Sequence, residues 1–497
     1  MRPSGSPFLW CLFLAGWYVY LFHGQAPGIN LLLFEVAAAL VYVAAHGRRV
    51  PPFAWLPLSG TFMTALAVAW HASALAVLLN LVSAGLTVGI LLAPTVRALH
   101  RSAALAMAHL AQAPRSFLQA LPLRHRDKEP VITPGGALSV AMVPLVLLLF
   151  AGMYRSSNPH FDRFLAQITL PLSGLDLGVP ASFLVGLLIS SFLLLGLSNP
   201  KLLSWAHAGN DQLPASGLGQ PDRKLRGELL TAKLLLVGLN VLLLAVNALD
   251  LRHVWLGFEF NGQYLKQFVH EGTYMLLLSI LLGAGIVLYF FRGDLNFLRE
   301  ARGVKWLAHA WLGQNLLLAL SVGMRNYWYI HYYALAYKRI GVAFFLLALC
   351  IGLVLVMLKV RHGRSGHYLL RMNAMVIYGT ALALALFNWD GIMARYNMAQ
   401  QGKAFVHLDF LAGLSDKALP WLVKTPEELE GMAAFNATLI GGAEHYSRDL
   451  YLGPEAYRER IGQRVQTFRE RYVERSWKAW NLADARAYRL LGATARR

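Results

Sequence analysis

Cysteine is almost missing from this chain: Cys11 and Cys350 are the only two in 497 residues. Each sits inside an apolar block, so both read as small buried hydrophobes and not as a disulfide or a metal pair. Charge is scarce too, at 14% of residues against 57% hydrophobic, with a mean hydropathy of +0.46. A soluble globular domain carries about 25% charged residues, so that class is excluded. Short alternating apolar segments are lacking, which excludes a β-barrel. The recognised catalytic signatures are lacking as well: there is no Walker loop, H-E-x-x-H, C-x-x-C pair or G-x-S-x-G elbow. "VHEGTY" shares only His270 and Glu271 with a zinc-protease motif. Adjacent residues diverge by about 100° around a helix and do not chelate one metal together. No metal or other cofactor is therefore expected. The loop "GQAPG" is too short to carry the acidic residue usual in the first external loop of lipid-linked glycosyltransferases. Inverted repeats and paired broken helices of the transporter type are not evident either.

What is present is a series of apolar blocks of roughly 18 to 23 residues, the length of an α-helix crossing ~30 Å of hydrocarbon. The fold class is all-α: a polytopic α-helical membrane protein of about 11 transmembrane helices with a small C-terminal helical domain. The expected spans are 7–23, 28–46, 53–70, 73–94, 136–153, 181–198, 229–249, 272–291, 305–324, 340–359 and 367–387. The first has no small-x-small cleavage site after it and reads as an uncleaved anchor. The third and fourth meet at "HAS" around His71, a tight hairpin.

Lys and Arg flanking the spans orient the chain. With the N-terminus inside, cytoplasmic segments hold 21 Lys+Arg and the opposite loops seven, namely Arg155, Arg163, Arg252, Lys266, Arg325, Lys338 and Arg339. That asymmetry predicts a cytoplasmic N-terminus and, with an odd span count, a C-terminal domain in the periplasm. The formal charge of +19 is thus mainly a topology signal. The segment from Trp389 onward has 16 Lys+Arg against 13 Asp+Glu, so nucleic acid is not an expected partner.

The organisation follows from these blocks. Residues 1–94 form four N-terminal spans, and 95–135 a basic amphipathic cytoplasmic segment carrying Arg97, His100, Arg101 and His109 among Ala and Leu. That segment is expected either on the membrane surface, with basic side chains among anionic headgroups, or as a solvated connector. Residues 136–388 form a seven-helix core and 389–497 an extramembrane helical domain. In the latter, "KTPEELEGM" offers Thr425 as N-cap, Pro426 at the first helical position, and Glu427 and Glu428 in the first turn. "SDKALPWLV" starts a short helix at Ser415 or Asp416, and a helical run of about 25 residues begins at Pro454.

Ionisable groups inside a span are costly and each needs a partner or a role. Glu35 is the only carboxylate well inside an apolar block. It is either a proton-coupled or substrate-binding group, or a structural hydrogen bond to a neighbouring helix. Asn80, Asn240, Asn247, Gln314 and Asn315 read as interhelical hydrogen-bonding groups, and His309 as a packing histidine. Elsewhere the polar residues gather at the outer ends of helices. One stretch holds Glu259, Gln263, Lys266, His270, Glu271 and Tyr274 among aromatic residues. "MRNYWYIHYYALAYKRIGV" (324–342) holds six aromatic rings, Tyr337 the last of them, together with Arg325, His331, Lys338 and Arg339, and "FNWDGIMARYN" holds Asp390, Arg395 and Asn397. An aromatic interfacial belt explains the rings. Arg325, Tyr329, Tyr332 and Tyr333 also share one side of a helix, an arrangement suited to a phosphate or carboxylate. The candidate outer-face site is therefore His270, Glu271, Tyr274, Arg325, Tyr329, His331, Tyr333, Asp390 and Arg395, with Asp390 expected to pair with Arg325 or Arg395.

These boxes, "FVHEGTYMLLLSILLGAGIVLYFFR", "RNYWYIHYYALAYKRIGV" and "FNWDGIMARYN", with "DFLAGLSDKALPWL" and "SWKAWNLADARAY" in the tail, resemble an uncharacterised bacterial membrane family grouped as domain of unknown function 4153 or 4173. The resemblance covers roughly residues 136 to 497, with the first four spans matched only as generic apolar helices. It implies a multi-pass protein of the bacterial inner membrane and no particular activity. Three functional classes follow: a non-enzymatic envelope sensor or scaffold binding a protein partner, a transporter or flippase of an anionic lipid or small molecule, and a membrane enzyme acting on a lipid-linked substrate. The lipid bilayer is the one partner common to all three.

Overall fold

The computed structural model describes residues 7–47, 50–120, 178–196, 199–207, 209–214, 223–258, 262–440 and 452–494. Among them the chain is all-α, with eighteen α-helices, short 3-10 turns and no β-strand beyond one isolated bridge. Eight helices are long and apolar enough to cross a membrane, and two shorter apolar ones, Pro7–Phe22 and Gly178–Leu194, coincide with further expected spans. The span expected at 136–153 lies outside the described residues. The protein is thus an all-α, membrane-embedded protein. Two compact units are formed, Met1–His207 with Ser476–Asn481, and Ala208–Arg475 with Leu482–Arg497.

The first unit holds α1 (Pro7–Phe22), α2 (Ile29–His46), α3 (Trp55–His71), α4 (Ala74–Leu92), α5 (Leu99–Ala120), α6 (Gly178–Leu194) and α7 (Pro200–His207). The α3–α4 hairpin is as tight as its sequence suggests. Ala72 closes α3 in a left-handed conformation (φ 44°), and Ser73 caps α4 by accepting from the Ala76 N–H. Small residues let helices approach closely: a Cβ at Gly89 of α4 would lie 2.0 Å from the Ser102 carbonyl oxygen of α5. That contact packs α5 against α4. Ser102, Leu105, His109 and Ala113 are buried, and His109 stacks on Phe192 of α6 and meets its carbonyl at 3.0 Å. Arg101 donates to the Trp205 and Ala206 carbonyls and lies over the Trp205 ring. The segment Ser476–Asn481 belongs to this unit through the Ile29 N–H, which donates to the Trp480 carbonyl, and Lys478, which donates to the Tyr20 carbonyl at 2.6 Å.

The second unit is built on α8 (Arg223–Asp250), α9 (Gly262–Phe290), α10 (Arg302–Tyr333), α11 (Tyr337–His362) and α12 (Gly366–Ala385). Leu236, Ile280, Val287, Leu312, Leu318, Val322 and Leu353 fill the core between them. With lipid as apolar as that core, association rests on close packing and interhelical hydrogen bonds. Asn240 donates to the Leu307 carbonyl and accepts from Gln314, and Asn247 donates to the Gln314 carbonyl, joining α8 to α10. Asn315 departs from the expected interhelical role: its amide donates to the Trp311 carbonyl of its own helix. The ring-rich stretch lies within α10, which continues unbroken to Tyr333.

Shorter helices follow: α13 (Trp389–Ala399), α14 (Leu408–Ala412), α15 (Leu419–Leu422), α16 (Pro426–Ile440), α17 (Pro454–Glu474) and α18 (Leu482–Thr494). They enclose a second core of Met393, Leu411, Leu419, Leu422, Met432, Tyr457, Ile461, Phe468 and Leu491, to which Ile340 of α11 contributes. The Thr425 cap forms as its sequence predicts. The Glu428 N–H donates to Thr425 Oγ1, and the Thr425 N–H donates to Glu428 Oε2 at 3.0 Å, a reciprocal capping box.

Candidate functional site at the helix ends around Arg325

Asp250 closes α8, where a carboxylate is disfavoured by the helix dipole. It accepts a hydrogen bond from Arg325 of α10, and both side chains are under 10% exposed. This buried ion pair replaces the pairing of Asp390 with Arg325 or Arg395 expected from sequence. Directly after Asp250 the chain widens into a π-turn, Leu251–Leu256, a rare element that recurs at functional sites. The aromatic residues of α10 hold that turn. Trp328 Nε1 donates to the Val254 carbonyl, Trp255 Nε1 donates to Ser321, and Phe258 stacks on Trp328 with ring centroids 4.7 Å apart.

On the neighbouring face of α10, Tyr329 is buried and its ring lies 4.1 Å below the Arg339 guanidinium. Arg339, from α11, donates to the Tyr333 and Ala334 carbonyls, so it caps the C-terminus of α10 as well as stacking. Ala334 itself has φ 59° and ψ −166°, a region that costs a non-glycine residue about 1–3 kcal/mol. The turn is kept in place by Asn397 of α13. Its Oδ1 accepts from the Leu335 N–H at 2.8 Å and its Nδ2 donates to the Leu335 carbonyl at 2.9 Å. A small cleft of about 30 Å³ remains between α9, α10 and α11, lined by Thr273, Tyr274, Asn326, Tyr329, Lys338, Arg339 and Val342. Lys338 is exposed at its mouth, and Thr273 is buried with no hydrogen-bond partner for its hydroxyl among the described residues.

Asp390 lies elsewhere in the same unit. In the first turn of α13 it is favoured by the helix dipole, and it accepts from Tyr337 of α11 and from Ser415. Three carboxylates, Asp484, Asp390 and Asp416, surround Lys417. Its burial pushes the amine below the usual lysine range, opposed by those carboxylates. Asp416 is held by Arg464 and Arg471, and Asp484 by Arg475 at 2.5 Å.

Of the residues named from sequence, Tyr274 and Tyr329 therefore line the cleft, Tyr333 packs against the Tyr329 ring, Arg325 is taken up by its pair with Asp250, and Asp390 belongs to the bracing of the C-terminal helices. His331 and Arg395 are exposed. His270 and Glu271 lie on α9, with side chains outside the described residues. Glu35 lies in the first unit, on α2. Sequence reasoning missed Asp250, whose signal was an isolated acid at a span end facing an equally isolated arginine. It also missed Tyr337 and Ser415 as partners of Asp390. Among the described residues no three His, Cys, Asp or Glu side chains gather as metal ligands.

No curated protein and no solved structure matches the chain. The profile of the family described as Domain of unknown function (DUF4153) matches residues 10–425. The match reaches further toward the N-terminus than the resemblance placed at 136–497, so it takes in the first four spans, and it stops short of α16 to α18. With most of its length matched, this chain belongs to the DUF4153 family.

Proposed function

We propose that this membrane-embedded protein is a non-enzymatic scaffold or sensor of the bacterial inner membrane, which binds an envelope protein through its C-terminal helices and the outer ends of its spans. The observation that carries this reading is how the outer charges are used. Arg325 holds Asp250, Arg339 caps α10, Asp390 receives Tyr337 and Ser415, and Asp416 and Asp484 hold three arginines. Each of these bonds braces one helix against another. The solvent-facing side of α17 then presents Arg458, Glu459, Arg460, Gln463, Gln466, Glu470 and Arg471 on a rigid support, a mixed-charge surface suited to a polar protein interface. The periplasmic side of the C-terminal domain rests on the Lys and Arg count of the loops; within the first unit, Trp480 and Lys478 bond Ile29 and Tyr20 beside the α1–α2 loop. With the N-terminus inside, that loop is external.

A second reading, transport or flipping of an anionic lipid or small molecule, draws on the cleft, where Lys338 and Arg339 adjoin Thr273 and Tyr274. One experiment separates the two. A photocrosslinking amino acid is placed at Gln466 on α17 and, separately, at Tyr274 in the cleft, and adducts formed in native membranes are identified by mass spectrometry. The scaffold reading expects one dominant protein adduct from position 466. Lipid adducts from position 274, with no protein captured at 466, would refute it and favour transport.

A further inference from the structure

At the opposite end of α8 from Asp250, a cleft of about 260 Å³ opens between the start of α8 and the turn that follows α9. Lys224 and Glu228 line it from α8, Arg292 and Asp294 from the turn, and Leu225 and Phe290 supply apolar surface. Two cations and two carboxylates thus share one small space. The volume lies just under the roughly 300–1,000 Å³ of a site for a drug-sized molecule, so it suits a compact polar group. Both α8 and α9 are long and apolar enough to cross a membrane, and the cleft falls where their apolar stretches end. At that depth the surrounding medium is phospholipid headgroup.

The turn is a braced wall. Buried Lys359 of α11 donates to the Phe291 carbonyl at 2.7 Å, and Lys305 of α10 donates to the Asn296 carbonyl at 2.6 Å. Asn296 Nδ2 adds bonds to the Phe291 and Gly293 carbonyls. The charges lining the cleft are used differently. Lys224 is exposed, and its amine makes no hydrogen bond or ion pair with the described residues. Arg292 donates to the Tyr289 carbonyl at 2.6 Å and to Glu228 Oε1 at 3.0 Å, and its guanidinium lies 4.1 Å from the centre of the Tyr289 ring. Two of the five guanidinium N–H donors are used in this way and three remain, in an orientation already fixed. An exposed ion pair of this kind adds little to stability, so stability does not account for four charges gathered here.

We infer that this cleft binds the headgroup of a zwitterionic phospholipid that carries a primary amine. Lys224 and the remaining donors of Arg292 hold the phosphate, a charge-assisted contact for which the guanidinium fork is suited. Glu228 and Asp294 hold the ammonium. An anionic headgroup without an amine brings no cation to the two carboxylates. A trimethylammonium group has no N–H to donate and is recognised by a cage of rings, whereas Phe290, the ring that lines the cleft, is buried. Exposed Leu230, Leu234 and Val241 on α8, with Leu278 and Leu282 on α9, continue away from the cleft along the two helices. They offer the acyl chains an apolar surface.

The test uses the full-length protein, stripped of lipid in a mild detergent. It is titrated separately with phosphatidylethanolamine, phosphatidylglycerol and phosphatidylcholine of one acyl composition, and native mass spectrometry reads the bound lipid. Two exposed charge contacts at about threefold each should make phosphatidylethanolamine bind about tenfold more tightly than the other two. Asp294→Asn should cut that preference to about threefold, whereas Lys224→Gln should weaken all three lipids by about threefold and leave the preference in place. Both changes are at side chains open to solvent, so the melting temperature should not move. Equal affinity for the three lipids would overturn the inference, as would a preference that survives Asp294→Asn and Glu228→Gln together. Glycerophosphoethanolamine, which lacks the acyl chains, should fail to displace the lipid at equal concentration. Displacement would assign the cleft to a free solute and overturn the lipid reading.

Discussion

Removing Arg325 should be among the most damaging single changes outside the apolar core. The Arg325→Met variant leaves Asp250, whose side chain is only 9% exposed, as an uncompensated carboxylate at the C-terminus of α8. Breaking a buried pair from one side costs about 3–5 kcal/mol, and Asp250→Leu should cost a similar amount by stranding the guanidinium. Replacing both at once removes both charges, and the double variant should return to within roughly 1–2 kcal/mol of the parent. The cycle thus predicts a coupling of several kcal/mol. The exposed pair Arg292–Glu228, with side chains 48% and 26% exposed, is an internal control that should give less than about 1 kcal/mol. The assay is equilibrium unfolding of the purified protein in mixed micelles, followed by tryptophan emission, since Trp255 and Trp328 report on the adjacent π-turn. Additive losses in the Asp250/Arg325 cycle would refute the reasoning, because they would mean that the two charges do not rely on each other.

Further perturbations test the bracing of the second unit. Asn397→Ala removes both hydrogen bonds to Leu335 and leaves a buried peptide group unsatisfied, so it should lower stability by about 2–3 kcal/mol, and Ala334→Gly in the same background should recover part of that loss by relieving the positive φ; unfolding midpoints of the three proteins check this, and a further loss from the glycine would contradict it. At the α16 cap, Thr425→Ala should cost about 1 kcal/mol. Its partner Glu428 has a carboxyl held below its usual range, first by the hydrogen bond from Lys424. The stabilising effect of Glu428 is thus complete above about pH 4.3 and fades as pH falls through its depressed native value. Melting curves from pH 6 to pH 3 should show the gap between parent and Glu428→Gln narrowing on acidification, and a gap that widens would show the sign to be wrong.

Much of this architecture is legible in the residues themselves. Runs of Leu, Ala and Val long enough to cross a bilayer make helices wherever they occur, because hydrocarbon offers the backbone no other partner. Thr425, Pro426 and Glu428 mark a helix start through interactions three residues long. Asn240, Asn247 and Gln314, placed within apolar spans, announce contacts between helices, although not which helix each one meets. The partners of the charged residues were decided by the tertiary structure alone. Arg325 and Asp250 are 75 positions apart, and Asp390 lies within the same short helix as Arg395, yet it takes hydroxyls from Tyr337 and Ser415. Periodicity specifies the face a side chain occupies on its own helix. Which other helix that face meets depends on how the spans pack together. For the same reason Asn80 is visible in the sequence as an amide in an apolar run, while its bonds to the Thr61 carbonyl and Thr64 exist only once α3 and α4 are assembled.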